Sequence, residues 1–275
     1  MVIVGLDIGA SMAKAVLVDE TLKIIDKRVS PVDKPEATAL RVLKGFPSRF
    51  TVHAIAASGG GSRLIGDEIL GLPVKRVDEI KAIGLGGLFL AKKDRGLVVS
   101  AGTGTALVAA YEGGKIVRHV GGTGVGGGTI LGLSRRILGI AEFEVLERMA
   151  LRGDAKRVDL SVGDIIGGPI GMVPAEATAS NFGKLTRKSD DADIAAGIFN
   201  MVSQTIGVIA AMAAKAYNLE DSVIIVGMLA KSRIFSKIIR ETTKLFGVKA
   251  LIPENCEFSG AIGAVISISG GFSSS

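Results

Sequence analysis

The chain has 275 residues, 48% of them hydrophobic, and its 33 Lys and Arg against 27 Asp and Glu give a formal net charge of +6. This length and apolar content can bury a sizeable core, so an intrinsically disordered chain is excluded and one large or two smaller domains fit. The basic residues are scattered and only 4% of residues are aromatic, whereas nucleic-acid binders usually cluster basic residues with stacking aromatics. We therefore expect no nucleic-acid partner.

Cysteine usage restricts the compartment and the possible metal sites. Cys256 is the only cysteine, which excludes a disulfide framework, a Cys-based zinc site and a multi-cysteine iron–sulfur site within one chain. A reducing, cytoplasmic location is therefore expected. Asp7 interrupts the first apolar run, so no signal peptide is expected either.

The first part of the chain shows a meander followed by alternating helix and strand. The predicted strands are 1–6, 15–18, 23–29 and 52–57, and the predicted helices are 36–43 and a segment from Asp78 to Leu90. A strand, a turn of small residues and two further strands then recur at 96–100, 106–111 and 115–120. This duplication predicts two α/β lobes, residues 1–94 and 95–275, each opening on a three-stranded meander.

The last third of the chain is predicted to alternate long helices with a strand at 222–226. Residues 194–214 carry no formal charge and are long enough to span a bilayer. However, Asn200 and Gln204 are among several polar residues there that hydrocarbon would penalise. We expect a helix buried in the protein or in a dimer interface, and no membrane partner.

Two turns combine glycine with hydroxyl groups. The first, Asp7-Ile8-Gly9-Ala10-Ser11 with Lys14 shortly after, brings a carboxylate, a hydroxyl and an ammonium together. Its backbone amides can cradle phosphate oxygens, and its carboxylate can hold Mg²⁺ directly or through water. The second, Gly102-Thr103-Gly104-Thr105, follows a buried strand in the same way. Either turn alone could be an ordinary tight turn, but equivalent turns from duplicated lobes form a natural clamp for a nucleoside triphosphate.

The glycine-rich segment Gly121-Gly122-Thr123-Gly124-Val125-Gly126-Gly127-Gly128-Thr129 leads into a predicted helix at 130–138. Because glycines cost backbone entropy on ordering, so many before a helix suggest a close approach to a ligand. A helix N-terminus with free N–H groups is an anion site. A flexible linker is the alternative interpretation.

Glu79 stands at the predicted start of a helix. A carboxylate there could accept a substrate hydroxyl proton during phosphoryl transfer. The alternative is an acidic residue favoured at a helix N-terminus by the macrodipole.

These segments, in this order, resemble type II pantothenate kinases, within the actin-like/hexokinase/heat-shock ATPase superfamily. The resemblance covers nearly the whole chain and includes the Asp7 turn, Glu79-x-x-Ala82-x-x-x-Gly86, the Gly102 turn, Val120-Gly121-Gly122-x-Gly124-x-Gly126-Gly127-Gly128, Ala179-x-Asn181-Phe182-Gly183, Ile225-Val226-Gly227 and Phe258-Ser259-Gly260-Ala261-Ile262-Gly263-Ala264. It implies an α/β fold, a duplicated actin-like ATPase (ribonuclease H-like) fold whose two lobes enclose a nucleotide cleft. The implied reaction is ATP- and Mg²⁺-dependent phosphorylation of pantothenate, the first step of coenzyme A biosynthesis.

The resemblance also implies roles for individual residues. Glu79 would be the catalytic base, and Asp7 would handle Mg²⁺. The residues implied to bind ATP and its phosphates are Asp7, Gly9, Ser11, Lys14, Gly102, Thr103, Gly104, Thr105, Gly126, Gly127, Gly128 and Gly227. Those implied to lie at pantothenate are Glu79, Thr103, His119 and Gly121. The family is dimeric through a long helix, so residues 194–214 would lie in a homodimer interface.

Two positions depart from the family pattern. Ala10 and Ser11 replace a Gly-Thr pair, which keeps the hydroxyl and adds a Cβ. His119 replaces an arginine that grips the pantothenate carboxylate, and Arg118 lies one place earlier. Histidine cannot reproduce the two-pronged grip of arginine, and on a strand Arg118 would face the opposite side unless the register slips.

These departures leave two alternatives to a pantothenate kinase. One is a kinase of the same fold for another hydroxyl substrate, such as a pantothenate relative or an amino sugar. The other is an ATP-driven reactivating factor for another enzyme.

Overall fold

The first sheet contains the predicted N-terminal meander. The computed structural model describes residues 2–171 and 173–270. Six strands form this sheet: β1 (Val2–Ile8), β2 (Met12–Val18), β3 (Ile24–Pro31), β4 (Val52–Ser58), β5 (Glu68–Ile69) and β6 (Leu72–Arg76). They lie in the order β3-β2-β1-β4-β6-β5. β1 to β3 are antiparallel, whereas β4 runs parallel to both β1 and β6.

The second sheet repeats this meander. β7 (Gly96–Ala101), β8 (Thr105–Tyr111) and β9 (Ile116–Thr123) are antiparallel neighbours. β10 (Leu160–Ser161) and β11 (Thr178–Ser180) form a separate ribbon, and β12 (Val223–Val226) and β13 (Ala250–Leu251) complete the second sheet in the order β13-β12-β7-β8-β9. The predicted repeat of strand, turn and two strands is therefore confirmed, apart from Met1, which lies outside the described residues.

The helices cover the faces of the two sheets. They are α1 (Pro35–Lys44), α2 (Glu79–Ala91), α3 (Gly127–Leu138), α4 (Phe143–Ala150), α5 (Val162–Ile166), α6 (Asp191–Ala216), α7 (Arg233–Leu245) and α8 (Ser259–Ile268). α1 packs on the first sheet, over a core that includes Leu6, Leu17 and Ile55. The second sheet and α6 share a larger core that includes Leu97 and Phe199.

Two helices lie between the sheets, and each packs on the sheet formed by the other half of the chain. α2 contacts β7, β8 and β9 of the second sheet, while α8, from the end of the chain, contacts β1 and β4 of the first. The two helices also pack against each other. Helix packing thus crosses the boundary expected between residues 94 and 95 in both directions, and that boundary stays a prediction.

The long uncharged segment is a helix, as predicted. Asp190 caps α6 by accepting a hydrogen bond from the Ala192 amide at 2.8 Å, and Asp191 and Asp193 favour its N-terminus by their charge. By length and composition α6 could cross a membrane, yet 67% of its most apolar window is buried within the protein. It packs against α3, α4 and α7.

Candidate active site

A cleft of about 420 Å³ opens where β1 and β7 end. Its walls come from both sheets and from the starts of α2 and α8. The residues predicted from the sequence that line it are Asp7, Gly9, Ser11, Lys14, Glu79, Gly102, Thr103, Gly104, Thr105 and Gly227. The structure therefore brings together the two turns and the acid that lie far apart in the chain.

The first turn joins β1 to β2. The Gly9 amide donates to the Met12 carbonyl at 3.1 Å and closes the turn. Asp7 and Lys14 are register partners on the two strands, and the Lys14 ammonium lies 3.2 Å from the Asp7 carboxylate. Both side chains are largely buried, at 17% and 11% exposure, so this ion pair fixes one positive and one negative charge at the floor of the cleft.

The Asp7 carboxylate is seated against backbone. Gly59 follows the last residue of β4 with φ of +82°, and a Cβ built there would lie 2.6 Å from Asp7 Oδ1. Only glycine combines this left-handed conformation with the absence of a Cβ. The Ser58-Gly59 end of β4 therefore allows Asp7 to occupy its place.

The second turn is held by the glycine-rich segment. The Gly102 amide donates to the Gly104 carbonyl at 2.8 Å, and the Gly127 and Gly128 amides donate to the carbonyls of Gly102 and Thr103 at 2.8 and 2.9 Å. A Cβ on Gly126 would lie 2.6 Å from the Thr103 carbonyl oxygen. The segment thus needs its glycine to pack on the turn.

The observed role of the glycine-rich segment is to support the second turn from behind. Gly126, Gly127 and Gly128 lie behind the second turn and are not among the residues that line the cleft. The amides of all three glycines are engaged within the protein: those of Gly127 and Gly128 donate to the turn, and that of Gly126 donates to the Thr129 hydroxyl at 3.1 Å. Their direct contact with a nucleotide stays a prediction, while their contact with the turn is observed.

The two turns meet across the cleft. The hydroxyl of Ser11 lies 2.9 Å from the hydroxyl of Thr103, and the two turns connect strands of different sheets. Either oxygen can donate in this pair. The hydrogen bond joins the lobes at the point where the predicted clamp would hold phosphate.

Glu79 is the first residue of α2 and lines the same cleft. Asp78 caps the helix by accepting a hydrogen bond from the Lys81 amide at 3.0 Å. The capping role therefore belongs to Asp78, and the Glu79 carboxylate is not needed for it. Partial burial raises the pKa of Glu79, and the charge of Asp7 raises it further, while Lys14 and Arg63 act in the opposite direction. A carboxyl with a raised pKa is poised to take up a proton.

The acceptor-side residues expected on β9 lie outside the cleft lining. His119 is opposite Val108, and Gly121 is opposite Leu107, with an irregularity in the register that leaves out Val120. The irregularity follows His119, so the side chains of Arg118 and His119 still point to opposite faces of the sheet. Val108 and Val117 would both contact a Cβ on Gly84 of α2, which places His119 on the α2 side and Arg118 on the other.

The cleft has further residues that were not predicted as site residues. They are Ala10, Met12, Ser58, Ile83, Ser100, Ala106, Thr123, Met228, Cys256, Glu257, Ser259 and Gly260. The Ser-Gly-Gly-Gly run that begins at the last residue of β4 and the Phe-Ser-Gly-Ala segment were local signals for three of them, Ser58, Ser259 and Gly260. Glu257 is buried and pairs with the Lys231 ammonium at 2.7 Å.

Cys256 does not offer a nucleophile. Burial, with the charge of Glu257, raises the pKa of its thiol to about 11. Since the thiolate is the reactive form, this cysteine stays protonated at neutral pH.

Comparison with known proteins places the chain among characterised families. The Fumble family model matches residues 96–267. A type II pantothenate kinase of Bacillus anthracis is 27% identical over 96% of this chain and 96% of its own. One from Staphylococcus haemolyticus is 29% identical over 95% and 98% of the two chains, and one from a Bacillus cereus strain is 30% identical over 78% and 81%.

Solved structures with the same fold bind nucleotide analogues. The activator of 2-hydroxyisocaproyl-CoA dehydratase from Clostridium difficile with bound ADPNP has a TM-score of 0.67 at 18% identity, over 96% of this chain and 92% of that one. A ROK family glucokinase from Streptomyces griseus in complex with glucose and AMPPNP has a TM-score of 0.63 at 15% identity, over 96% and 98%. The predicted actin-like ATPase fold is thereby confirmed. Together with the sequence matches, this shows that the chain belongs to the Fumble family of type II pantothenate kinases.

Proposed function

We propose that this kinase transfers the γ-phosphate of ATP to the primary hydroxyl of pantothenate, giving 4′-phosphopantothenate for coenzyme A biosynthesis. The observation that carries the proposal is the hydrogen-bonded pair of turns at Ser11 and Thr103, with Glu79 on the wall of the same cleft. The choice of pantothenate as the acceptor is supported by relatives named type II pantothenate kinase, which match nearly the whole chain.

The two turns suit the phosphates of ATP. Ser11, Thr103 and Thr105 place hydroxyl groups at the cleft, and Lys14 adds a fixed positive charge. Phosphoryl transfer depends mainly on positioning and on stabilising charge. Gly227, at the end of β12, lies on the wall where the adenosine would bind.

Glu79 is proposed to act as the general base. Its carboxylate accepts the proton of the acceptor hydroxyl as that oxygen forms a bond to the γ-phosphorus. The bond from this phosphorus to the β,γ-bridging oxygen breaks, and the electron pair leaves with ADP. The raised pKa of Glu79 makes it a stronger proton acceptor than an ordinary glutamate.

Mg²⁺ fits the donors present. Magnesium in proteins is usually held by one or two carboxylates together with substrate phosphates and water. Asp7 offers a cleft-facing carboxylate, and the described residues contain no cluster of three or more His, Cys, Asp or Glu that would form an all-protein cage. Asp7 would hold the ion directly or through water, and the ion would neutralise charge on the phosphates.

Recognition of the pantothenate carboxylate requires a cation near the acceptor. His119 is proposed for this role, since it faces the α2 side of the second sheet. Arg63, in the segment after β4, is a second candidate cation near Glu79, since its charge acts to lower the pKa of that carboxyl. Its loop is held by Arg76, whose side chain donates to the Ser62 carbonyl at 3.1 Å.

The quaternary state and the location are also part of the proposal. We propose a homodimer formed through α6, which keeps an exposed Met212 on an otherwise largely buried apolar helix. Size-exclusion chromatography with light scattering tests it, because a monomeric mass would contradict the dimer. A cytoplasmic location follows from the single buried cysteine and the coenzyme A pathway.

An assay of ADP release tests the proposed reaction. Pantothenate is expected to stimulate ADP release in the presence of Mg²⁺ and ATP, and amino sugars are not. Turnover with another hydroxyl compound but not with pantothenate would replace the substrate. ATP hydrolysis that needs a partner protein and no small acceptor would favour the reactivating factor; the dehydratase activator compared above shows that this fold also occurs in a protein that acts on another enzyme.

A further inference from the structure

Four buried serine hydroxyls in the described part of the chain have no hydrogen-bond partner. They belong to Ser58, Ser134, Ser203 and Ser259. Buried polar groups are nearly always hydrogen-bonded, so each exception requires an explanation. Ser58 and Ser259 are 1% and 2% exposed, and they differ from the other two in one respect: both line the cleft.

Both of these hydroxyl-bearing residues flank Asp7. Ser58 is the register partner of Asp7 across the parallel pair of β1 and β4. On another side, a Cβ on Gly260 would lie 3.0 Å from the Asp7 carboxyl carbon, and Ser259 is the residue directly before it at the start of α8. The two serine residues therefore come from different elements and lie at the same end of the cleft. Their hydroxyls are themselves buried, that of Ser259 against Gly86 of α2, so each must rotate about its Cα–Cβ bond to reach a ligand in the cleft.

The chemistry of this end indicates the group that would satisfy them. The Asp7 carboxylate already pairs with Lys14, and neither serine hydroxyl donates to it. Asp7 and Glu79 both line this cleft, and their negative charges would repel a phosphate bound beside them. Such a phosphate therefore needs hydrogen-bond donors that carry no negative charge. Hydroxyl groups donate to phosphate oxygens in this way.

We propose that the hydroxyls of Ser58 and Ser259 donate hydrogen bonds to the terminal phosphate of bound ATP. The inference rests on the proposed function in taking this cleft as the ATP site. In the free protein both donors are left without a partner, and the γ-phosphate supplies one. The cleft thereby distinguishes ATP from ADP, which lacks the group that these two residues bind.

The test compares Ser58→Ala and Ser259→Ala with Ser134→Ala and Ser203→Ala. The control variants also remove a buried unpartnered hydroxyl, but from α3 and α6, outside the cleft lining. Calorimetry measures the Kd of ATP and of ADP for each protein with Mg²⁺ present, and thermal unfolding reports the fold. Because no hydrogen bond is lost in the free protein, Tm should stay the same or rise in all four variants.

The expected result is a selective loss of ATP affinity. Each cleft variant should weaken ATP binding about tenfold while ADP binding changes by less than about twofold, and the control variants should change neither. Equal weakening of ATP and ADP, or no change in either, would overturn the proposal. So would a raised KM for pantothenate at unchanged ATP affinity, since it would place the hydroxyls at the acceptor.

A failure of the proposed function gives a different result. In that case the unmodified protein binds neither nucleotide, or binds ATP without transferring phosphate to pantothenate. If one cleft variant does not fold, the other still tests the proposal, because the two serines lie on separate elements.

Discussion

The hydroxyl oxygens of Ser11 and Thr103 lie 2.9 Å apart, although 92 residues separate them in the chain. Ser11 belongs to the turn between β1 and β2, and Thr103 to the equivalent turn between β7 and β8. The duplicated architecture therefore brings its two equivalent turns into direct contact. This contact fixes the width of the cleft at the place proposed for the phosphates.

Removing either hydroxyl should weaken ATP binding. We expect Ser11→Ala and Thr103→Ala each to raise the Kd of ATP about fivefold, the equivalent of one hydrogen bond. A double-mutant cycle measured by calorimetry should show that the two effects are not additive, because the groups are in contact. Strictly additive effects would mean that the two turns act independently.

Gly126 should be intolerant of a side chain, because a Cβ there would lie 2.6 Å from the Thr103 carbonyl oxygen. We expect Gly126→Ala to displace the second turn, to cost about 1–3 kcal/mol of unfolding free energy and to weaken ATP binding. Gly124→Ala is the matched control, since nothing lies within 4 Å of its Cβ position. Chemical denaturation and ATP titration measure both effects, and equal behaviour of the two variants would refute the packing argument.

Glu79→Gln should abolish most of the turnover, because the amide cannot accept the hydroxyl proton. We expect kcat to fall by about 10²-fold or more, with the Kd of ATP largely unchanged. Asp78→Asn is the control: it removes the neighbouring charge, while asparagine remains a good helix cap. Steady-state kinetics that show the larger loss in the Asp78 variant would remove Glu79 from the base role.

The raised pKa of Glu79 predicts a specific pH dependence. The base must be ionised, so kcat/KM should fall as the pH is lowered through a value above the usual glutamate range. A folded-state pKa above the unfolded one means that ionisation of Glu79 destabilises the fold at higher pH. Glu79→Gln should therefore raise Tm at neutral pH, and this gain should vanish in acid, where the carboxyl is protonated in both states. A lower Tm at neutral pH would contradict the cause assigned to the shift.

His119→Arg should lower the KM for pantothenate if this position faces the carboxylate. The gain should be absent with a neutral amide of pantothenate, because the added charge has no anion to bind. Arg118→Gln is the control, since Arg118 faces the other side of β9. An unchanged KM in the His119 variant, together with a raised KM in Arg63→Gln, would assign carboxylate recognition to Arg63 instead.

Much of the fold could be predicted because the local patterns are strong. The apolar strands with intervening turns of small residues predicted both meanders, and the uncharged run around Asn200 predicted the core of α6. The exchange of α2 and α8 between the sheets could not be predicted. This arrangement depends on packing between segments that lie about 180 residues apart. The local pattern of apolar residues in a helix does not indicate which sheet the helix covers.

The site was predictable where a single turn carries several functional groups, as at Asp7 and Gly102. Ser58 and Ser259 were missed because neither carries charge, and their importance comes from burial without a partner, which only the fold creates. The irregularity of β9 at Val120 was also invisible, because nothing in the sequence indicates which residue leaves the ladder.

The proposed function requires that the two linked turns hold the phosphates of ATP, with Glu79 at the acceptor hydroxyl. A crystal structure with Mg²⁺, a non-hydrolysable ATP analogue and pantothenate tests it most directly. We expect the phosphates between the Ser11 and Thr103 turns, and the pantothenate hydroxyl within hydrogen-bond distance of the Glu79 carboxylate. A nucleotide bound away from these turns, or an acceptor hydroxyl out of reach of Glu79, would contradict the claim.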